Sequence, residues 1–129
     1  MLPVTAFFAG IFGIMYVGLA ALVIRQRYKL SLSLGDGGDN GMLRVIRAHA
    51  NFAEYIPFCL LLLGINELQH TFESFIVGLG WLLLLGRFSH AYSLVHLEPR
   101  APGKFIFRQI GMVSTFTVII CASVLLLLG

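Results

Sequence analysis

Four apolar stretches, at roughly residues 3–24, 43–66, 73–97 and 105–128, take up most of this 129-residue chain. Each reaches the about 20 residues that a helix needs to cross the hydrocarbon of a bilayer. With 58% hydrophobic and 12% charged residues and a mean hydropathy of +0.90, a chain this short cannot hide its apolar surface in a soluble core. The expected fold is an all-α integral membrane protein, a four-transmembrane-helix bundle forming one domain over residues 1–129. No cationic region precedes the first span, Met1-Leu2-Pro3-Val4 onward, which outruns a signal-peptide core, so we expect it to be retained. Cys59 and Cys121 both fall inside spans, where they pack rather than build a disulfide framework.

Charge placement orients the bundle. All nine Lys and Arg residues lie near two connections or in the adjoining spans: Arg25, Arg27, Lys29, Arg44 and Arg47, then Arg87, Arg100, Lys104 and Arg108. Between the second and third spans there are only Glu67, His70 and Glu73. The positive-inside rule therefore predicts that both basic loops are cytoplasmic and both termini outside. The net charge of +3 is concentrated on one side, where it can attract anionic headgroups of membrane lipid or an anionic ligand. So few charges make no footprint for nucleic acid. Gly35-Asp36-Gly37-Gly38-Asp39-Asn40-Gly41 has turn chemistry throughout and lacks the acidic alternation and closing Glu of a calcium loop; it reads as a flexible connector.

The second span opens on a polar string, Arg47-Ala48-His49-Ala50-Asn51-Phe52-Ala53-Glu54-Tyr55-Ile56-Pro57. Ionisable groups at membrane depth are expensive and mark function by default. At helical spacing Arg47, Asn51 and Glu54 stand at i, i+4 and i+7, so a cation, an amide and a carboxylate share one stripe with Tyr55 beside it. Such a stripe can grip a zwitterion. Pro57 frees the carbonyl of Ala53 and is expected to kink the helix there. At about 1.5 Å rise per residue, Glu54 and Arg87 of the antiparallel third span fall at one depth, which predicts an acid–base pair, with Asn51 and Arg47 nearer the basic loops. The alternative is a buried network that only fixes helix register. His49 lies off the stripe and reads as a packing residue, whereas His90, one turn after Arg87, either joins the polar column or packs. His90 and His96 lack a third ligand, so no metal site is expected.

Arg47-Ala48-His49-x-Asn51-x-x-Glu54 with a following proline, Gly86-Arg87-x-x-His90, and Arg108-x-x-Gly111-Met112 together resemble the MAPEG family, membrane-associated proteins of eicosanoid and glutathione metabolism. The Gly-Asp-Gly-Gly loop resembles its short bacterial branch, which implies a bacterial inner membrane as the location. The resemblance spans nearly the whole chain and implies a homotrimer, with glutathione held between protomers near the cytoplasmic side and a lipophilic substrate arriving from the bilayer. It implies a glutathione transferase or peroxidase in which Arg47 and Asn51 hold the peptide backbone and carboxylates, Glu54 the ammonium and Arg27 a terminal carboxylate. Tyr55, Arg87 and His90 complete the glutathione-binding set. The chemistry agrees, since glutathione presents two carboxylates, an ammonium and a thiol. Its thiolate is the nucleophile, so the protein need supply only a cation to activate it.

Two departures bear on catalysis. Eicosanoid branches carry a tyrosine where this chain has Leu94. The prostaglandin E synthase branch reads Arg-Ala-Pro-x-Arg where this chain has Arg100-Ala101-Pro102-Gly103-Lys104, so Arg100 and Lys104 are the candidate thiol-activating residues. Lysine lacks the planar fork of arginine. The rival reading is a non-catalytic lipid- or glutathione-binding scaffold resembling the five-lipoxygenase-activating branch.

Overall fold

The computed structural model describes residues 1–129. It is all-helical: α1 (Pro3–Leu30), α2 (Asn40–Leu68), α3 (Glu73–Tyr92), a π-helical turn at Ser93–Leu97 that prolongs α3, and α4 (Ile106–Leu128). All four are long and apolar enough to cross a membrane. They overrun the apolar stretches chiefly at the basic end. Helix α1 continues to Leu30 and carries Arg27 and Lys29 in its last turn, where cations oppose the negative pole of the helix dipole.

The connector between α1 and α2 follows its turn chemistry. Gly35, Gly37 and Gly38 have φ of 69°, 59° and 73°, values that favour glycine. Asp36 Oδ1 accepts from the Gly38 amide at 2.9 Å, and Asp39 Oδ1 accepts from the Met42 amide at 2.6 Å as the N-cap of α2. Both aspartates are thus engaged in shaping the backbone. At the opposite end, the start of α1 has no side-chain cap of its own. Glu67, near the end of α2, supplies one: its two carboxylate oxygens accept from the amides of Val4 and Thr5 at 2.8 Å each, two donors that a helix start leaves free. Helix α2 runs unbroken through Pro57 to Leu68.

Only 28 of the 129 residues are buried, and residues such as Ile14, Leu85 and Leu127 stand exposed, as an outer surface that meets lipid requires. The interior is an aromatic and aliphatic seam that includes Phe8, Phe12, Phe52, Ile56, Leu63, Leu83 and Val118. Phe12 and Phe52 meet edge-on at 6.0 Å, a favoured geometry for aromatic pairs. Helices α3 and α4 pack most extensively, and glycines permit it: a Cβ on Gly111 would lie 2.5 Å from the Gly86 carbonyl oxygen. Small residues that let backbones approach are a usual device of helix pairing in lipid.

Candidate functional site

At the basic-loop end, α2, the π-helical turn and α4 diverge around an open cleft of about 660 Å³. Helix α2 contributes Asn40, Leu43, Arg44, Arg47 and Asn51, which recur in steps of one, three and four residues and so share one face. From α3 and its extension come His90, Leu94 and Glu98; from α4 come Arg108, Gln109, Met112 and Val113. Three arginines therefore face one carboxylate. That carboxylate, Glu98, is buried and already paired: Arg108 Nη1 lies 3.4 Å from its Oε2, and Ser93 Oγ donates to its Oε1 at 3.2 Å. The cleft is thus net cationic, with an apolar wall of Leu43, Leu94, Met112 and Val113.

Behind this surface lies the buried Arg87. Its Nη2 donates to Asn51 Oδ1 and stands 3.3 Å from His90 Nδ1, while Nη1 donates to Thr115 Oγ1 at 3.3 Å. The expected pair between Glu54 and Arg87 does not form. Glu54 instead lies 3.9 Å from Arg47, both side chains about half exposed, an arrangement that contributes little to stability. Equal depth did not settle the partner because direction around the helix also counts. Glu54 stays at the bundle surface, whereas α2 presents Asn51 to the guanidinium that α4 covers.

Of the residues singled out in the sequence, Arg47, Asn51 and His90 come together in the cleft, with Arg87 directly behind Asn51 and His90. Glu54 and Tyr55 do not line it; Tyr55 packs edge-on against Phe116, ring centroids 5.7 Å apart. Arg27 donates to the Gly35 carbonyl at 2.9 Å and so braces its own connector. Arg100 and Lys104 lie exposed in the connection before α4, outside the cleft lining. His49 packs as expected, stacked on Tyr16 at 4.9 Å.

Three charged cleft residues were not picked out from the sequence as site residues, Arg44, Arg108 and Glu98. Arg44 had a signal, since it stands one turn before Arg47 on the same face. Arg108 had a signal, since it opens one of the quoted motifs. Glu98 had none: α-helical periodicity sets Ser93 and Glu98 on different faces, but the π turn, closed by the Glu98 amide on the Ser93 carbonyl at 2.9 Å, stacks residues five apart. Such turns recur at functional sites.

A four-helix, multi-pass integral membrane protein with a cationic, partly apolar cleft at one end is the class that fold and site define. The chain belongs to the MAPEG family, whose model matches residues 5–127. It is 31% identical over 127 residues to the inner membrane protein YecN of Escherichia coli K12, an alignment covering 98% of this chain and 88% of that protein. The same identity and coverage hold for YecN of Escherichia coli O6:H1. No solved structure matches.

Proposed function

We propose that the protein binds glutathione in the cleft at the basic-loop end and directs its thiolate at lipophilic electrophiles or hydroperoxides, as a membrane-bound glutathione transferase or peroxidase. The observation that carries this reading is the cleft itself. Three arginines and an amide converge there with only one carboxylate, which suits a ligand with more carboxylates than ammonium groups. Leu94, Met112 and Val113 offer the apolar side on which a substrate from the bilayer can rest. Arg108, Arg44 and Arg47 are the cations of the cleft that can stabilise a thiolate; Arg100 and Lys104 would act on a neighbouring copy or from a rearranged connection. The half-exposed Arg47 and Glu54 face suits closure by a second protomer, in keeping with a homotrimer. By the positive-inside rule the cleft then opens to the cytoplasm of an inner-membrane protein.

The position of Arg100 and Lys104 outside the cleft supports a second reading, a glutathione- or lipid-binding scaffold without turnover. Conjugation of glutathione to chlorodinitrobenzene by the purified protein in detergent separates the two. The enzyme reading expects a rate above the uncatalysed one, cut at least tenfold by Arg108→Ala. Saturable glutathione binding with no rate above background supports the scaffold.

A further inference from the structure

Arg87 is a buried cation with no carboxylate partner: the ion pairs of the protein are Arg47 with Glu54 and Arg108 with Glu98. What it does instead is fix the polarity of two neighbours. A guanidinium only donates. Asn51 accepts from it through Oδ1, which turns the Asn51 Nδ2 hydrogens away. His90 Nδ1, 3.3 Å from Nη2, accepts as well: in the other neutral tautomer its proton would point at the guanidinium hydrogens, and in the doubly protonated ring a second buried charge would be added. The proton of the neutral imidazole then sits on Nε2.

Neither Asn51 Nδ2 nor His90 Nε2 has a hydrogen-bond partner in the protein, yet neither is among the sealed polar atoms without one, which are Thr5 Oγ1 and Arg87 Nε. Both side chains line the cleft, and His90 is 97% buried, with 3% of its surface exposed. Two fixed donors therefore open into the cleft with a cation behind them. We infer that Arg87 is a positioning residue that holds Asn51 as an Nδ2 donor and His90 as its Nε2–H tautomer, so that the cleft floor receives an anionic atom of the ligand, a carboxylate or a thiolate. This rests on the proposed site for its ligand but not for its tautomer.

The first test needs no ligand. In ¹⁵N-histidine-labelled protein in detergent, with the His90 signals assigned by their loss in His90→Gln, the expected spectrum shows the proton on Nε2. Protonated Nδ1 overturns the inference, whether or not glutathione binds. The second test is Asn51→Asp. It gives Arg87 a better partner and preserves the fold, but replaces the cleft donor by an acceptor. Glutathione affinity should fall about 10- to 100-fold, the range for one hydrogen bond to a charged group, while Asn51→Gln recovers part of it. An Asn51→Asp protein that binds glutathione as wild type does would make Asn51 only a structural partner of Arg87 and overturn the inference. Failure of wild type to bind glutathione overturns the proposed function alone, because the tautomer still decides the role of Arg87.

Discussion

Gly111→Ala tests the geometry that holds the cleft together. A Cβ at Gly111 would stand 2.5 Å from the Gly86 carbonyl oxygen, 2.6 Å from His90 Cβ and 3.0 Å from the His90 amide nitrogen. Carbon contacts are optimal at about 3.5–4.0 Å, so α3 and α4 must part by about 1 Å, and none of these atoms can swing aside by changing a rotamer. Overpacking of this kind costs about 1–3 kcal/mol. With three fixed atoms in the way the cost falls in the upper part of that range, about 2–3 kcal/mol, and alanine recovers about 1 kcal/mol as the better helix former, leaving a net loss of about 1–2 kcal/mol. For a chain of this length that lowers Tm by about 3–10 °C. The assay is thermal unfolding in detergent followed by a thiol-reactive dye on the buried Cys59, in a Cys121→Ser background. Gly10→Ala is the control: a Cβ there meets nothing within 4 Å, and its Tm should stay or rise. Because the clash falls on His90, Gly111→Ala should also weaken glutathione binding more than its stability loss explains. A Gly111→Ala protein as stable as Gly10→Ala would refute the close approach of α3 and α4, and with it the placing of His90.

Three further outcomes follow from particular contacts. Glu67→Ala uncaps the start of α1 and should cost about 0.5–2 kcal/mol, with faster hydrogen exchange at the Val4 and Thr5 amides; unchanged exchange would contradict the cap. Arg108→Met leaves Glu98 buried against Ser93 alone, and should destabilise by about 1–3 kcal/mol, whereas the double variant with Glu98→Gln should recover most of that in the same unfolding assay. Asn66 donates to the Leu62 and Ala122 carbonyls at 2.8 and 3.0 Å, tying α2 to α4. Asn66→Leu should cost about 1 kcal/mol, near the usual value of interhelical hydrogen bonds in membranes, and a loss above about 3 kcal/mol would mean the residue does more than tie helices.

The spans were legible because nothing but helix satisfies the backbone of so long an apolar run in lipid. The stripe of Arg47 and Asn51 was legible because helical spacing alone puts them on one face. Partner choice was not. Depth could set Glu54 level with Arg87, but only packing shows that α4 covers Arg87 and leaves Glu54 outside. Glu98 was hidden by a change of helical period that no residue in Ser93–Leu97 announces. The tie from Glu67 to the start of α1 joins residues more than sixty positions apart, and the sequence offered only an acid in a poorly charged connection. Arg27 is a cation at the basic end of the bundle whose contact within the protomer is the Gly35 carbonyl of its own loop, a contact that its position in the sequence did not announce.

The most direct test of the central claim is a titration of glutathione into the wild-type protein in detergent while the ultraviolet absorbance of the thiolate is followed. A cationic cleft that binds and activates the thiol predicts saturable growth of thiolate absorbance near neutral pH, well below the about 8.5 at which a free thiol ionises, and loss of that signal in Arg108→Ala. Absence of saturable binding would contradict the account and leave the polar cleft as a device for fixing helix register.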